Sequence, residues 1–340
     1  MTVDWMEEPF SLVRARHPAA GRFADLFGLA PAPGESFSAY LLRLPDDFFE
    51  EQALERETLA PDLAAYVTAQ EEAPRLPALH SLTITGGTSK DGTVPEETVT
   101  LFSGEIICIL GPTGSGKSRL LSDIESLAQG DTPTGRQILV NGAVPASSLR
   151  YGARGAFVSE LSQQMHFLLD ETVERFLKLH VHSRMADEGL YTEILDAANA
   201  LSGEPFSPRT PLSALSGGQS RALMIADTAL LSQAPILLID ELENAGINRE
   251  AALQFLLGRE KLILLSTHDP VLSLLGSRRL ILSDGRIQTV RNRTAKEQHN
   301  LPVLKAMDHV LMSLRERLRA GDALEENLRA ILLQTIDTLS

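Results

Sequence analysis

Gly111-Pro112-Thr113-Gly114-Ser115-Gly116-Lys117-Ser118 is the stretch that decides how this chain is read. Before it, Glu105-Ile106-Ile107-Cys108-Ile109-Leu110 is the apolar run of a buried strand. After it, Arg119-Leu120-Leu121-Ser122-Asp123-Ile124 reads as the start of a helix. A strand, a glycine-rich loop, Lys-Ser and a helix are the context in which a phosphate-loop pattern carries meaning. Gly111, Gly114 and Gly116 let the backbone curl until successive N–H groups face one anion. The helix N-terminus adds its dipole. Lys117 then supplies a charge for the β- and γ-phosphates of a nucleotide, and the Ser118 hydroxyl a ligand for Mg²⁺. Pro112, Thr113, Ser115 and Arg119 complete the candidate nucleotide-binding stretch.

Working outward, 340 residues leave room for roughly two domains. A 43% hydrophobic content and a mean hydropathy of -0.03 predict a globular core. No run approaches the ~20 apolar residues of a membrane span. The start, Met1-Thr2-Val3-Asp4-Trp5-Met6-Glu7-Glu8, has no basic segment followed by an apolar one, so no signal peptide is expected. The single cysteine, Cys108, reads as a buried thiol in the strand. A cytoplasmic protein is the expectation. The net charge of -14 argues against a large nucleic-acid surface.

The N-terminal quarter reads as an acidic helical module with no lysine before Lys90. Apolar residues recur at helical spacing in Phe37-Tyr40-Leu41-Leu44, with Ser36 as N-cap, and Pro61 is expected to open a further helix. Leu79–Thr85 and Glu97–Phe102 predict two antiparallel strands in front of the loop strand, and Gly135–Gly142 a strand ending in an Asn-Gly turn. Residues 164–203 are helical in pattern, and a helix is expected from Ser220 to Leu231. Two apolar strands follow, Ile236–Ile239 ending in Asp240-Glu241 and Leu262–Ser266 ending in Thr267-His268-Asp269, and then a hairpin at Asp284-Gly285. The Leu304-Met307-Leu311-Leu314-Leu318 stripe reads as packing, with a partner helix as the other reading. The expected divisions are residues 1–76, an acidic helical module; 77–294, a nucleotide-binding domain; and 295–340, a C-terminal helical segment.

Taken together, the loop, the Ile236–Asp240 strand in the Walker B pattern and Leu215-Ser216-Gly217-Gly218-Gln219 resemble the ATP-binding cassette (ABC) ATPases from about residue 79 to 290. The resemblance implies an α/β P-loop NTPase fold: a RecA-like core, an antiparallel β subdomain and a helical subdomain, here with added helical segments at both ends. It implies ATP and Mg²⁺ as cofactors. It also implies a dimer, in which the Walker A loop of one copy and the signature residues Ser216, Gly217, Gly218 and Gln219 of the other sandwich the nucleotide. Asp240, Ser118 and Gln163 would ligate Mg²⁺, Gln163 being preferred to Gln164 as the Q-loop residue. Glu241 would be the general base, with His268 and Lys117 as its catalytic companions.

The sequence departs from the family pattern at four places. Arg119 stands where a small residue is usual, and Leu242 where transporters commonly carry proline. The stretch Glu243-Asn244-Ala245-Gly246-Ile247-Asn248 is longer than the usual D-loop. No aromatic lies between Ser81 and Leu101 to stack on adenine, which leaves His80 as a substitute. Residues 241–247 and 164–173 also resemble ATPases related to the ATP-dependent activation component of methyl-coenzyme M reductase. That resemblance favours an ATPase that remodels or activates a protein partner, docked on the helical subdomain or the N-terminal module. An ATPase subunit of a membrane transporter is the alternative, while nucleic-acid binding and direct membrane insertion are not expected.

Overall fold

The computed structural model describes residues 4–337, apart from residues 27, 52–54, 72–75, 90–91, 93–97, 152–156, 163–166, 168–169, 185, 188, 243–246, 248, 258–260 and 326. These residues form two compact units. One comprises Met1–Arg75 with Glu174–Thr192, the other Leu76–Val173 with Glu193–Ser340.

The first unit is helical. Its helices Phe10–Arg16, Pro18–Leu26, Phe37–Leu42, Asp46–Glu51 and Arg56–Glu71 enclose a core of Met6, Phe10, Val13, Phe23, Phe37, Leu59, Leu63 and Val67. Ser36 caps its helix by accepting the Ala39 N–H at 3.2 Å. Pro61 does not open a helix as its sequence position suggests. It lies inside Arg56–Glu71. A proline there sacrifices one helix hydrogen bond, but Leu59, Leu63 and Val67 are all at most 1% exposed along one face, and their burial outweighs that loss.

The second unit holds nine strands among the described residues: β1 (Ser81–Thr85), β2 (Val99–Phe102), β3 (Ile106–Leu110), β4 (Gln137–Val140), β5 (Val158–Leu161), β6 (Ile236–Asp240), β7 (Leu262–Ser266), β8 (Arg278–Ser283) and β9 (Arg286–Asn292). They form an antiparallel sheet, β2-β1-β4, and a six-stranded sheet, β5-β6-β7-β3-β8-β9, in which only β9 runs antiparallel. Asn141 and Gly142 both take positive φ after β4, as an Asn-Gly turn requires, but β4 finds its partner in β1.

Successive residues of the parallel strands feed opposite cores, which is why these runs are apolar throughout. Ile107, Ile109, Ile236, Leu238, Leu262 and Leu264 face a core shared with the antiparallel sheet and the helix Lys117–Glu125. Ile106, Cys108, Leu237, Ile239, Ile263 and Leu265 face the helices Gly217–Leu231 and Arg249–Leu257. Cys108 is fully buried, and its thiol donates to the Leu272 carbonyl at 3.3 Å.

Two C-terminal helices follow, Ala295–Ala320 and Leu328–Asp337. The expectation of a packed stripe fails in part. Leu301 is buried and Leu304 packs beside it, but Met307, Leu311 and Leu318 are exposed at 38%, 50% and 56%. Only the N-terminal half of the helix lies on the apolar residues Val271 and Leu274.

One ion pair braces the glycine-rich loop from behind. Arg136, 1% exposed, bonds Asp123 on the loop's helix at 2.6 Å, and Thr134 donates to the same carboxylate at 2.8 Å. The guanidinium also donates to the Gly285 carbonyl, and the Gly285 N–H donates to the Ser115 carbonyl at 2.9 Å. Removing one member leaves a buried charge unpaired, which costs about 3–5 kcal/mol. Arg136→Met or Asp123→Asn should therefore lower unfolding free energy by about that amount in urea titrations, and Arg136→Met with Asp123→Leu by clearly less than the sum of the single losses.

Candidate functional site

Three strand ends meet at one edge of the six-stranded sheet. β3 runs into the glycine-rich loop, β6 ends at Asp240, and β7 ends at Ser266 beside it, the pairing register placing Asp240 opposite Ser266. Ligands of open α/β sheets bind at the carboxyl ends of their strands.

The loop has the shape of an anion cradle. Gly111 has φ 158°, Gly114 78° and Gly116 101°, and Gly116 caps the helix Lys117–Glu125 from a left-handed conformation. A Cβ on Gly116 would lie 3.0 Å from Gly285 Cα, and one on Gly111 2.5 Å from the Leu282 carbonyl oxygen, so side chains are excluded by backbone. Lys117 Nζ donates to the Gly111 carbonyl at 2.7 Å and to Pro112 at 3.4 Å. An ammonium has three donors, so one remains for a ligand. Ser115 Oγ is buried without a hydrogen-bond partner among the described residues, an unmet polar group inside the cradle.

At the end of β6, Glu241 has φ 51°, a left-handed conformation that a residue with a Cβ adopts at a cost. Its N–H continues the ladder by donating to the Ser266 carbonyl at 3.0 Å. Its Oε1 lies 3.9 Å from Nε2 of His268, which is half-exposed on the turn after β7. The sequence-derived candidates Lys117, Ser118, Asp240, Glu241 and His268 thus all stand at this edge. Gln163 and Gln164, and the D-loop residues 243–246 and 248, lie outside the described residues.

The signature helix begins three residues before the expected Ser220, at Gly217. The reason is a reciprocal cap. Ser216 Oγ accepts the Gln219 N–H at 3.2 Å, and Gln219 Oε1 accepts the Ser216 N–H at 2.9 Å. Gly217 and Gly218 thereby become first-turn residues with unshared N–H groups. Among the described residues, a Cβ on Gly217 would meet no atom within 4 Å beyond its chain neighbours and its own helix backbone. Within the second unit a cleft of about 840 Å³ opens beside this helix start, lined by Ser216, Gly218, Arg249, Lys305 and Asp308 and by none of residues 111–118.

Two residues emerge here that the sequence reading passed over. Arg221 donates to the backbone carbonyl of Asp240 at 2.7 Å, tying the signature helix to the end of β6. Glu160, which with Ser159 makes up the polar part of β5, sits beside the same edge. Partial burial, then the charges of Glu125 and Asp240, push its carboxyl above the ordinary 4.5. The one sequence signal for Glu160 is a carboxylate among the alternating residues of a strand leading to the Q-loop.

Because the folded state holds the Glu160 proton more tightly than the unfolded chain, ionising it opposes folding as pH rises through the raised value. Glu160→Gln should therefore raise the melting temperature at pH 7 and leave it nearly unchanged at about pH 3, where the carboxyl is protonated in both states. Melting curves of both proteins across that range test the sign.

A profile described as ABC transporter matches residues 96–244. An uncharacterized ABC transporter ATP-binding protein of Methanocaldococcus jannaschii is 46% identical over 248 residues, 72% of this chain and 95% of that protein. The sn-glycerol-3-phosphate import ATP-binding protein of Rhizobium johnstonii is 31% identical over 210 residues, 59% of this chain and 54% of that one. A solved ATP-binding subunit of an ABC transporter shares the fold with a TM-score of 0.50 at 18% identity, covering 76% of this chain and all of that one. No helix among the described residues is long and apolar enough to cross a membrane. With the cradle, the acidic strand end and the capped signature helix in one unit, and with the Methanocaldococcus jannaschii relative matched over nearly its whole length, the chain belongs to the ATP-binding cassette family of ATPases.

Proposed function

We propose that the chain hydrolyses ATP in a head-to-tail dimer of itself, with residues 111–118 of one copy and 216–218 of the other closing on one nucleotide. The observation that carries this reading is the strained Glu241, 3.9 Å from His268, at the strand edge next to the cradle. The loop N–H groups, Lys117 and Ser115 Oγ would hold the phosphates. The hard oxygens of Ser118 and Asp240 suit Mg²⁺, as Gln163 would, and Mg²⁺ when bound would neutralise charge on the phosphate oxygens. Glu241 would take the proton of the water that adds to the γ-phosphorus as the β–γ bond breaks. His268 would orient that water and the γ-phosphate. Ser216, Gly217 and Gly218 of the second copy would add N–H groups and a hydroxyl, and the open space beside Gly217 among the described residues fits a glycine kept for a partner's ligand.

What the cycle drives is a protein partner. The naming of the Methanocaldococcus jannaschii relative as an ABC transporter ATP-binding protein makes a membrane permease the first candidate, with the chain on its cytoplasmic side. A remodelled or activated protein, a metalloenzyme in the sense of the activation-component resemblance, is the second reading. It is favoured by the helices between Phe10 and Glu71, whose own apolar core gives a docking body outside the matched residues 96–244. We take the divisions 1–76, 77–294 and 295–340 as its working domain scheme. Purification from native cells separates the two partners: membrane-spanning proteins in stoichiometric amount support the first, and a soluble enzyme the second.

Two variants test the site. Glu241→Gln should bind ATP with unchanged affinity, lose at least about 100-fold in kcat, and elute as an ATP-dependent dimer in size-exclusion chromatography. Unchanged turnover refutes the role of Glu241. Gly217→Ala should leave the monomer as stable as before or up to about 1 kcal/mol more stable, since alanine is the better helix residue. It should nonetheless lose at least about tenfold in ATPase activity along with the ATP-dependent dimer. A folding defect with normal specific activity would show the glycine to be structural.

A further inference from the structure

The helix Ala295–Ala320 reaches the turn that carries His268 by two routes. One is apolar, Leu301 packing with Val271 and Leu274 of the helix Pro270–Leu275. The other is ionic and runs through Arg249, the first residue of the helix Arg249–Leu257. One arm of its guanidinium bonds Asp269, and the other bonds Asp308 of the C-terminal helix and lies 3.5 Å from Met312 Sδ. A planar guanidinium suits this bridging of two carboxylates, and an ammonium does so less well. Lys305 bonds Glu250 alongside and repeats the connection between the same two helices.

Asp269 is the pivot. Its Oδ1 accepts the N–H groups of Val271 at 2.7 Å and Leu272 at 3.0 Å, which leaves Oδ2 for Arg249. Its own N–H donates to Thr267 Oγ1 at 3.0 Å. The residues on both sides of His268 are thus pinned, Thr267 fully buried at the end of β7 and Asp269 by its cap and by Arg249. The Asp269 side chain is 9% exposed and that of Asp308 28%, so loss of Arg249 would leave two poorly solvated carboxylates sharing no cation. The turn would then shift, and His268 with it.

We propose that Arg249 is a positioning residue for ATP hydrolysis, which fixes His268 through Asp269 in a geometry set by the C-terminal helix. The inference rests on the reading of His268 as the contact to the γ-phosphate and water. A misplacement of about 1 Å at a reacting group costs up to about 100-fold.

The test is kcat and KM for Mg·ATP on the full chain. Arg249→Met should lower kcat about 10- to 100-fold while KM stays within about threefold, and Arg249→Lys should recover part of the loss. In a His268→Ala background Arg249→Met should lower kcat no further, because the two act in series. Asp308→Asn keeps the Asp269 pair and should give a smaller loss with the same dependence on His268, and it carries the test if Arg249→Met does not fold. Losses that multiply with that of His268→Ala overturn the inference, as does a lowered melting temperature with unchanged kcat per folded molecule. If His268→Ala alone leaves kcat unchanged, the role given to His268 falls and this inference with it. A normal effect of His268→Ala beside a silent Arg249→Met overturns the inference alone.

Discussion

Parallel pairing of β6, β7 and β3 is the constraint from which the site follows. Strands that run the same way finish on the same side, so the residue after each lands on one edge of the sheet. Three segments far apart in the chain, beginning at Gly111, Asp240 and Thr267, arrive there together. The apolar runs that precede them do the positioning, because each alternates between two cores and a slip by one residue would exchange the faces. The loop then adds the requirement for backbone without Cβ at Gly111 and Gly116, and Arg136 with Asp123 and Gly285 holds that backbone in place.

Much of this was legible before any coordinates. The four-residue runs Ile236–Ile239 and Leu262–Leu265 are short, wholly apolar and followed closely by acidic or histidine motifs, so strand and site announced each other. What stayed hidden depends on partners distant in sequence. Arg136 looks like a surface arginine in a turn, and only the fold brings Asp123 and the Gly285 carbonyl around it. Arg249 and Asp308 carry no local pattern linking them. The misplaced helix starts have local causes. Burial of Leu59 and Leu63 overrode the N-terminal preference of Pro61, and the Ser216–Gln219 reciprocal cap drew Gly217 and Gly218 into a helix that their low propensity argued against.

The C-terminal stripe failed for another reason. Helical periodicity reports that one face is apolar, not that something in the same chain covers it. Leu301 and Leu304 find Val271 and Leu274, whereas Leu311 and Leu318 lie farther along the same helix and stay open. The ionic contacts at Lys305 and Asp308 fall between these two regions. The half that touches the cassette is therefore held by both apolar and charged groups.

The buried thiol of Cys108 has a consequence for the chemistry of the whole unit. It sits at the centre of the six-stranded sheet, one strand residue from Ile109 and three from the loop, with its sulfur turned to the Leu272 carbonyl. Only an exposed thiolate is attacked readily by oxidants and alkylating reagents. While the sheet is closed the protein therefore offers no reactive thiol to redox chemistry. Labelling of this one atom counts the moments at which the strand leading to the nucleotide loop comes apart.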